Sequence, residues 1–363
     1  MPSSLRDVAE VAGVAQSTVS RALRNSPKVK PETRERIQRI AKEVGYVPSA
    51  IARGLATRRT STLGVVVFDI TDPFIADLVS AIDREARSQG YSVILSTCGA
   101  DPQQEMAAIK LLLQQRVDAV IVPDPLVADS SLPQLEQLGI PIVLMGRTSY
   151  AYSVGTDNRD GTYQATKYLI GLGHQRIAYI GGRRSPEESA ERRAGYEMAL
   201  REAGLAVVPE WVLEGDGWAS GGRTCTGSLL SLPNPPTALV CFNDLTASGA
   251  LLTLYDAGLE VPGDVSVVGF DDSSLASLLT PPLTTVMQHK DDLSRYAIDV
   301  ALARVKGDRP PVRVVVASTL VVRRSTGPVA TGPQQDIKIS VGRIRHSTDP
   351  QRKGEEDADR MEW

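Results

Sequence analysis

The sequence predicts two folds in series: a small all-α helix-turn-helix head and an α/β two-lobed core of parallel sheets. Three observations predict this. DVAEVAGVAQSTVSRAL, Asp7 to Leu23, has the spacing of two short helices around a tight turn. From Leu63 onward, apolar strand-like runs alternate with helical stretches, and the cycle is completed twice. Charge is divided unevenly: residues 1–60 hold 12 Lys or Arg against 5 Asp or Glu, a net of +7, while the whole chain is −3, which leaves −10 for the remainder.

The first domain is expected over 1–46. Ala9 and Gly13 are small enough to let two helices cross closely, and Val14, Val19, Ala22 and Leu23 continue an apolar face. At about 100° per residue, Gln16, Ser17, Ser20 and Arg21 fall on the opposite arc. Amide, hydroxyl and guanidinium groups are what pairs with base edges and phosphates in a major groove, so a basic head carrying them on its free face points to double-stranded DNA. A solvated helical bundle with the same spacing is the alternative, and the charge asymmetry argues against it. Pro31 opens a third helix, PETRERIQRIAKEVGY, with Ile37, Ile40 and Val44 at helical spacing and Gly45 at its end, which should buttress the first two.

Residues 47–62 read as a short hinge helix and linker. Pro48 and Ser49 are start signals, but about two turns with Gly54 inside them should be marginal in water, so the segment should fold only against a partner.

The core is expected over 63–327. LGVVVFDI, YSVILSTC, DAVIVP and IPIVLMGR form the first set of strands, and RIAYIGG, WVLEGD, TALVCFND and VSVVGFDD the second. Continuous apolar strands with helical crossovers mean parallel sheets covered on both faces. The late segments LTTVMQ, a helix near 290–306 and VRVVVASTLVVRR are suited to return the chain between lobes. In such folds ligands sit at the carboxyl ends of the strands, where this chain has Asp69, Asn243, Asp244, Asp271 and Asp272. Residues 328–363 are polar and unpatterned and read as a disordered tail.

Composition narrows the function classes. No run of eighteen apolar residues exists, and MPSSLRDVAE lacks the apolar stretch of a signal peptide, so a cytoplasmic protein with no membrane partner is expected. Cys98, Cys225 and Cys241 lack metal or redox spacing and read as reduced core residues; His174, His289 and His346 read as surface or loop histidines, and no metal or cofactor is expected. An enzyme is the first rival reading, but neither a nucleophile elbow nor a phosphate loop is present. The Gly171–Gly173 pair is better read as a helix C-cap than as a dinucleotide loop. An exported binding protein is the second rival, against which stand the basic head and the missing export signal.

From LRDVAEVAGVAQSTVSRAL through ETRERIQRIAKEVGYVPSAIARGL to VVVFDITDPFIADLV, VVGFDD and PPLTTV, the chain resembles transcriptional regulators of the lac repressor and galactose repressor family, over residues 4 to about 326. The resemblance implies a core similar to periplasmic sugar-binding proteins, a homodimer, and a repressor whose operator affinity is controlled allosterically by a small molecule, a sugar or sugar derivative. By position it implies that Gln16, Ser17 and Arg21 read the major groove, that Thr18, Ser20 and Asn25 contact the DNA backbone, and that Ala52 and Leu55 of the hinge enter the minor groove. Leu55 would be the wedge at the central base step. The effector would be held by Phe74, Arg192, Asn243 and Asp271, with Trp218 stacking on it, although the spacing there is shifted by one and Gly217 is an alternative. Asn243 and Asp271 are also residues favoured at caps and turns.

Two departures from the family pattern stand out. Ala15 replaces a serine expected to bond a phosphate. Gly146, followed by Arg147, stands where several members have a ligand-binding aspartate. No leucine-rich heptad follows residue 327, which favours a dimer over a tetramer.

Overall fold

The computed structural model describes residues 4–23, 25–46, 59–126, 131–146, 150–182, 186–308 and 313–329. The expected hinge helix with Ala52 and Leu55, and residues 330–363 of the expected 328–363 tail, lie outside the described residues.

The head consists of α1 (Leu5–Ala12), α2 (Gln16–Leu23) and α3 (Pro31–Glu43). Ser4 and Asp7 form a reciprocal cap at the start of α1, each side chain accepting from the other residue's backbone N–H. Gly13 ends α1 at φ +62°, and nothing lies within 4 Å of where its Cβ would stand. The left-handed turn therefore requires this glycine, and the close helix crossing expected of it does not. Val8, Ala9, Ala12, Val19, Ala22, Ile37 and Ala41 form the buried cluster. Its centre is sensitive, since truncating a fully buried isoleucine such as Ile37 to alanine costs about 2–5 kcal/mol. Arg36 Nη2 donates to Ala12 O at 3.1 Å, so α3 also satisfies the end of α1.

The first lobe runs β1 (Thr62–Val67), α4 (Pro73–Ser88), β2 (Ser92–Thr97), α5 (Pro102–Gln114), β3 (Ala119–Pro123), α6 (Leu132–Gln137), β4 (Ile142–Met145) and β5 (Ser153–Thr156). The chain then crosses to α7 (Asn158–Gly171), β6 (Ile177–Gly181), α8 (Pro186–Glu202), β7 (Val212–Glu214), α9 (Ala219–Leu230), β8 (Ala238–Cys241), α10 (Asp244–Asp256), β9 (Ser266–Asp271) and β10 (Thr284–Met287). α11 (Lys290–Lys306) and β11 (Arg313–Val316) return to the first lobe, and β12 (Thr319–Val321) ends in the second.

The first sheet has the order β11-β5-β4-β3-β1-β2, parallel throughout. The second has the order β12-β10-β9-β8-β6-β7 and is parallel except for β12. Both faces of the inner strands β1, β3 and β4 are covered, which is why they read as unbroken apolar runs. Leu63, Val65 and Val67 pack with Ile75, Ile82 and Ile298 of α4 and α11, while Val66, Val120 and Val122 pack with Ile109 and Leu112 of α5. Asp72 and Asp101 cap α4 and α5 ahead of a first-turn proline.

The late segments do carry the chain between lobes, with one correction to the reading of VRVVVASTLVVRR as one run. It breaks at Ala317–Ser318, and its halves join different sheets. β5 was not anticipated, because Ser153, Gly155 and Thr156 leave no apolar run to read. His174 also corrects an expectation: it is buried, with Nδ1 2.9 Å from Thr237 Oγ1 and Nε2 3.0 Å from Gly327 O. Val329 N donates to Leu172 O at 3.1 Å, so residues 328 and 329 belong to the core, which corrects their place in the expected tail. The three cysteines are free and buried.

Candidate nucleic-acid interface and ligand cleft

α2 separates its faces as its sequence predicts. Val19 and Ala22 are buried, Gln16, Ser17 and Arg21 are exposed, and Thr18 and Ser20 are half-buried at the margins. Asn25 sits in the following turn at φ +56°, a conformation asparagine tolerates, and its Oδ1 accepts from Gln38 Nε2 at 2.9 Å. α3 thereby fixes the turn that leaves α2. Ala15, at the entry to α2, is exposed and offers no hydroxyl.

Between the lobes lies a cavity of about 50 Å³ that opens to solvent. The first lobe lines it with Asp72, Phe74, Pro123, Asp124, Met145, Gly146 and Thr156, and the second with Glu188, Arg192, Phe242, Asn243, Asp271 and Gln288. Four of the five expected ligand residues therefore meet in one place: Phe74, Arg192, Asn243 and Asp271. Trp218 is the exception. It lies outside this lining, its ring 6.0 Å from that of Phe68, and the carbonyl of neighbouring Gly217 accepts from Asn243 Nδ2 at 3.0 Å.

Arg192 organises the second lobe's side. Its guanidinium is stacked between the rings of Phe242 and Phe270, 4.5 and 3.8 Å from their centroids. Nε donates to Asn158 Oδ1 at 2.8 Å and Nη1 to Phe242 O at 2.6 Å. Its charge is answered by Asp271 at 3.9 Å and by Glu188, one turn earlier on α8, at 3.6 Å. A buried cation held on so many sides is fixed in position.

Asp271 ends β9 at φ +113°, a strained conformation for an aspartate, and Asp272 follows at +48°. Burial raises the Asp271 carboxyl well above the usual range, against the opposing pull of Arg192. Its Oδ1 accepts from Gln288 Nε2 at 2.7 Å, and Gln288 Oε1 accepts from the Thr156 hydroxyl at 2.6 Å. Behind this strand end, Asp244 accepts from Thr285 Oγ1, Ser273 N and Ser273 Oγ, and burial pushes its carboxyl up to about 6. Gly269 has no Cβ to obstruct Asp244 Oδ1. Asn243 is both cap and lining residue, since its Oδ1 accepts from Thr246 N to start α10. The cap and ligand readings of Asn243 are thus compatible.

Glu188, Gln288, Thr156 and Asn158 were not singled out in the sequence. Asp69, also at a strand end, folds back on Thr71 and does not reach the cavity. Among the described residues there is no metal-type cluster of His, Cys, Asp and Glu, and no helix long and apolar enough to cross a membrane.

Comparison with known proteins shows the family. Residues 4–49 match the model of bacterial regulatory proteins of the lacI family, and residues 60–319 match that of periplasmic binding proteins and the sugar-binding domain of the LacI family. The chain is 34% identical over 330 residues to the HTH-type transcriptional repressor PurR of Haemophilus influenzae (strain PittEE), covering 89% of this chain and 98% of the relative. It is 36% identical over 312 residues to the HTH-type transcriptional repressor CytR of Escherichia coli (strain K12), covering 84% and 90%. The lac repressor dimer bound to operator and an anti-inducer superposes with a TM-score of 0.82 at 30% identity, covering 90% of this chain and all of that one. The chain belongs to the lacI family of bacterial regulatory proteins, and it is a DNA-binding transcriptional repressor regulated by a small-molecule effector rather than an enzyme.

Proposed function

We propose that the chain acts in the cytoplasm as a homodimeric repressor whose operator affinity is set by a sugar or sugar derivative seated between the lobes. The observation that carries the reading is the convergence of Arg192, Asn243 and Asp271 with Phe74 around one cavity. Guanidinium, amide and carboxylate groups match a ligand rich in hydroxyls, and the aromatic ring matches its apolar face. A nucleoside is the second reading, favoured by Phe74 and Phe242 on opposite lobes of the cavity.

Gln16, Ser17 and Arg21 would read bases, Thr18, Ser20 and Asn25 would hold the DNA backbone, and Ala52 and Leu55 of paired hinges would enter the minor groove. A dimer is supported by apolar side chains left on the surface of both lobes: Ile94 and Leu95 on the edge strand β2, and Leu252, Tyr255 and Leu278 in the second lobe, Tyr255 being 80% and Leu278 78% exposed. The effector would favour one arrangement of the lobes, and that choice would bring together or separate the hinges.

A thermal-shift screen of sugars and nucleosides on the full chain tests the effector class. A sugar that raises the melting temperature supports the first reading. Stabilisation by nucleosides alone would replace it with the second.

A further inference from the structure

Gly146 follows β4 in the first lobe at φ +85°, and a Cβ built on it would stand 2.5 Å from Glu188 Oε1 and 3.2 Å from Glu188 Cδ. Glu188 belongs to the other lobe, in the first turn of α8, and both residues line the cavity. A side chain at 146 and the Glu188 carboxylate therefore claim the same volume. Gly146 is also the position at which the resemblance to the family leads one to expect a ligand-binding aspartate.

We propose that Glu188 is a specificity-determining residue that supplies this carboxylate from the opposite lobe and accepts a hydrogen bond from a hydroxyl or ammonium group of the effector. The inference rests on the cavity being the effector site. Three features support the exchange. The Glu188 side chain is only 14% exposed, so its carboxylate is directed into the molecule. Arg192 Nη2 lies 3.6 Å from Glu188 Oε2 and holds the carboxylate in place, and Arg192 is itself held by Asn158 and Phe242. An ionised carboxylate only accepts hydrogen bonds, so it selects a donor and rejects an acidic group at that end of the ligand. Because Glu188 moves with the second lobe and Gly146 with the first, a ligand group placed here contacts both. Recognition at this point therefore favours the arrangement in which the lobes are close.

The test has two arms, both on the full chain. The first needs no ligand and compares the melting temperatures of Gly146→Asp, Glu188→Ser and the double variant. Gly146→Asp is expected to lower the melting temperature by about 3 °C or more. Adding Glu188→Ser should recover part of that loss, the remainder being the strain of a side chain at φ +85°, whereas strictly additive losses overturn the shared volume.

The second arm measures affinity for D-glucose, 6-amino-6-deoxy-D-glucose and D-glucuronate and for the matching galactose series. The uronates are expected to bind at least tenfold more weakly than the hydroxyl or amino compound, and Glu188→Gln should remove that preference. Stronger binding of the amino sugar identifies the donor as an ammonium, and stronger binding of the neutral sugar identifies it as a hydroxyl. Affinities and ranking unchanged within twofold in Glu188→Gln overturn the assignment to Glu188. If no compound in the panel binds the wild-type chain, the sugar reading fails and the proposed donor with it, while the first arm still decides whether the two positions share one volume.

Discussion

Gln288 donates a 2.7 Å hydrogen bond from Nε2 to Asp271 Oδ1, while its own Oε1 accepts from the Thr156 hydroxyl at 2.6 Å. Thr156 ends the last strand before the first crossing between lobes, and Gln288 precedes the second crossing. One amide thus ties the strained strand end that carries Asp271 to two connections that any rearrangement of the lobes must bend.

Gln288→Ala should therefore weaken effector binding about tenfold, the loss of a hydrogen bond to a charged group being about 1.5–3 kcal/mol. It should also move the pH dependence of binding upward, because the hydrogen bond that favours ionised Asp271 is gone. Calorimetric titration between pH 5 and 8 measures both, and an unchanged affinity and profile would remove Gln288 from the coupling.

Asp244 should leave a pH signature on stability. Burial raises its carboxyl from 3.8 to about 6, so the folded chain holds this proton more tightly than the unfolded chain does. Its contribution is complete below about pH 4 and is lost as the pH rises through about 6. Asp244→Asn should be less stable than the wild type, because an amide N–H would face the donors of Ser273 or Thr285. Urea unfolding at pH 4.5 and 7 should show that deficit shrinking at the higher pH; a constant deficit would contradict the raised carboxyl.

His174 should act in the opposite direction. Burial lowers its imidazole below the usual value of 6.5, so the neutral ring is the stabilised form. That contribution is present above about pH 6.5 and is lost as the pH falls through the lowered folded value. His174→Ala should lose about 1–3 kcal/mol at pH 7.5, since it strands the groups of Thr237, Ser266 and Gly327. It should lose less relative to the wild type at pH 5.5. Equal losses at both pH values would mean that the ring does not titrate.

In the head, Gln16→Ala with Ser17→Ala should change which operator is preferred when sequences are selected from a random pool, because both side chains are exposed and leave the buried cluster intact. Leu55→Ala should instead lower affinity across operators without re-ranking them. A uniform loss for the Gln16 and Ser17 pair would show that they do not read bases.

The parts of the molecule governed by period and composition were legible in the sequence. Helical spacing in the head, caps such as Asp72-Pro73 and unbroken apolar strands each follow from local physics, and they put Asn243 and Asp271 at strand ends, while the resemblance to the family supplied Phe74 and Arg192. What escaped depends on contacts distant in sequence. β5 is held by neighbouring strands rather than by its own apolar content, and Ala317–Ser318 gives no signal that the chain changes sheets. His174 is buried because Thr237, Ser266 and Gly327 come from three separate segments to satisfy it. Glu188 reads as an ordinary first-turn acid on α8, and only the fold sets it against Gly146.

The most direct test of the account is operator affinity measured on the full chain with and without the compound that the thermal-shift screen identifies, for the wild type and for Arg192→Ala. The account predicts that the compound changes wild-type operator affinity at least tenfold and leaves that of Arg192→Ala unchanged, with operator binding itself retained. A compound that stabilises the wild-type chain yet leaves its operator affinity within twofold would contradict control of the DNA-binding head from the cleft.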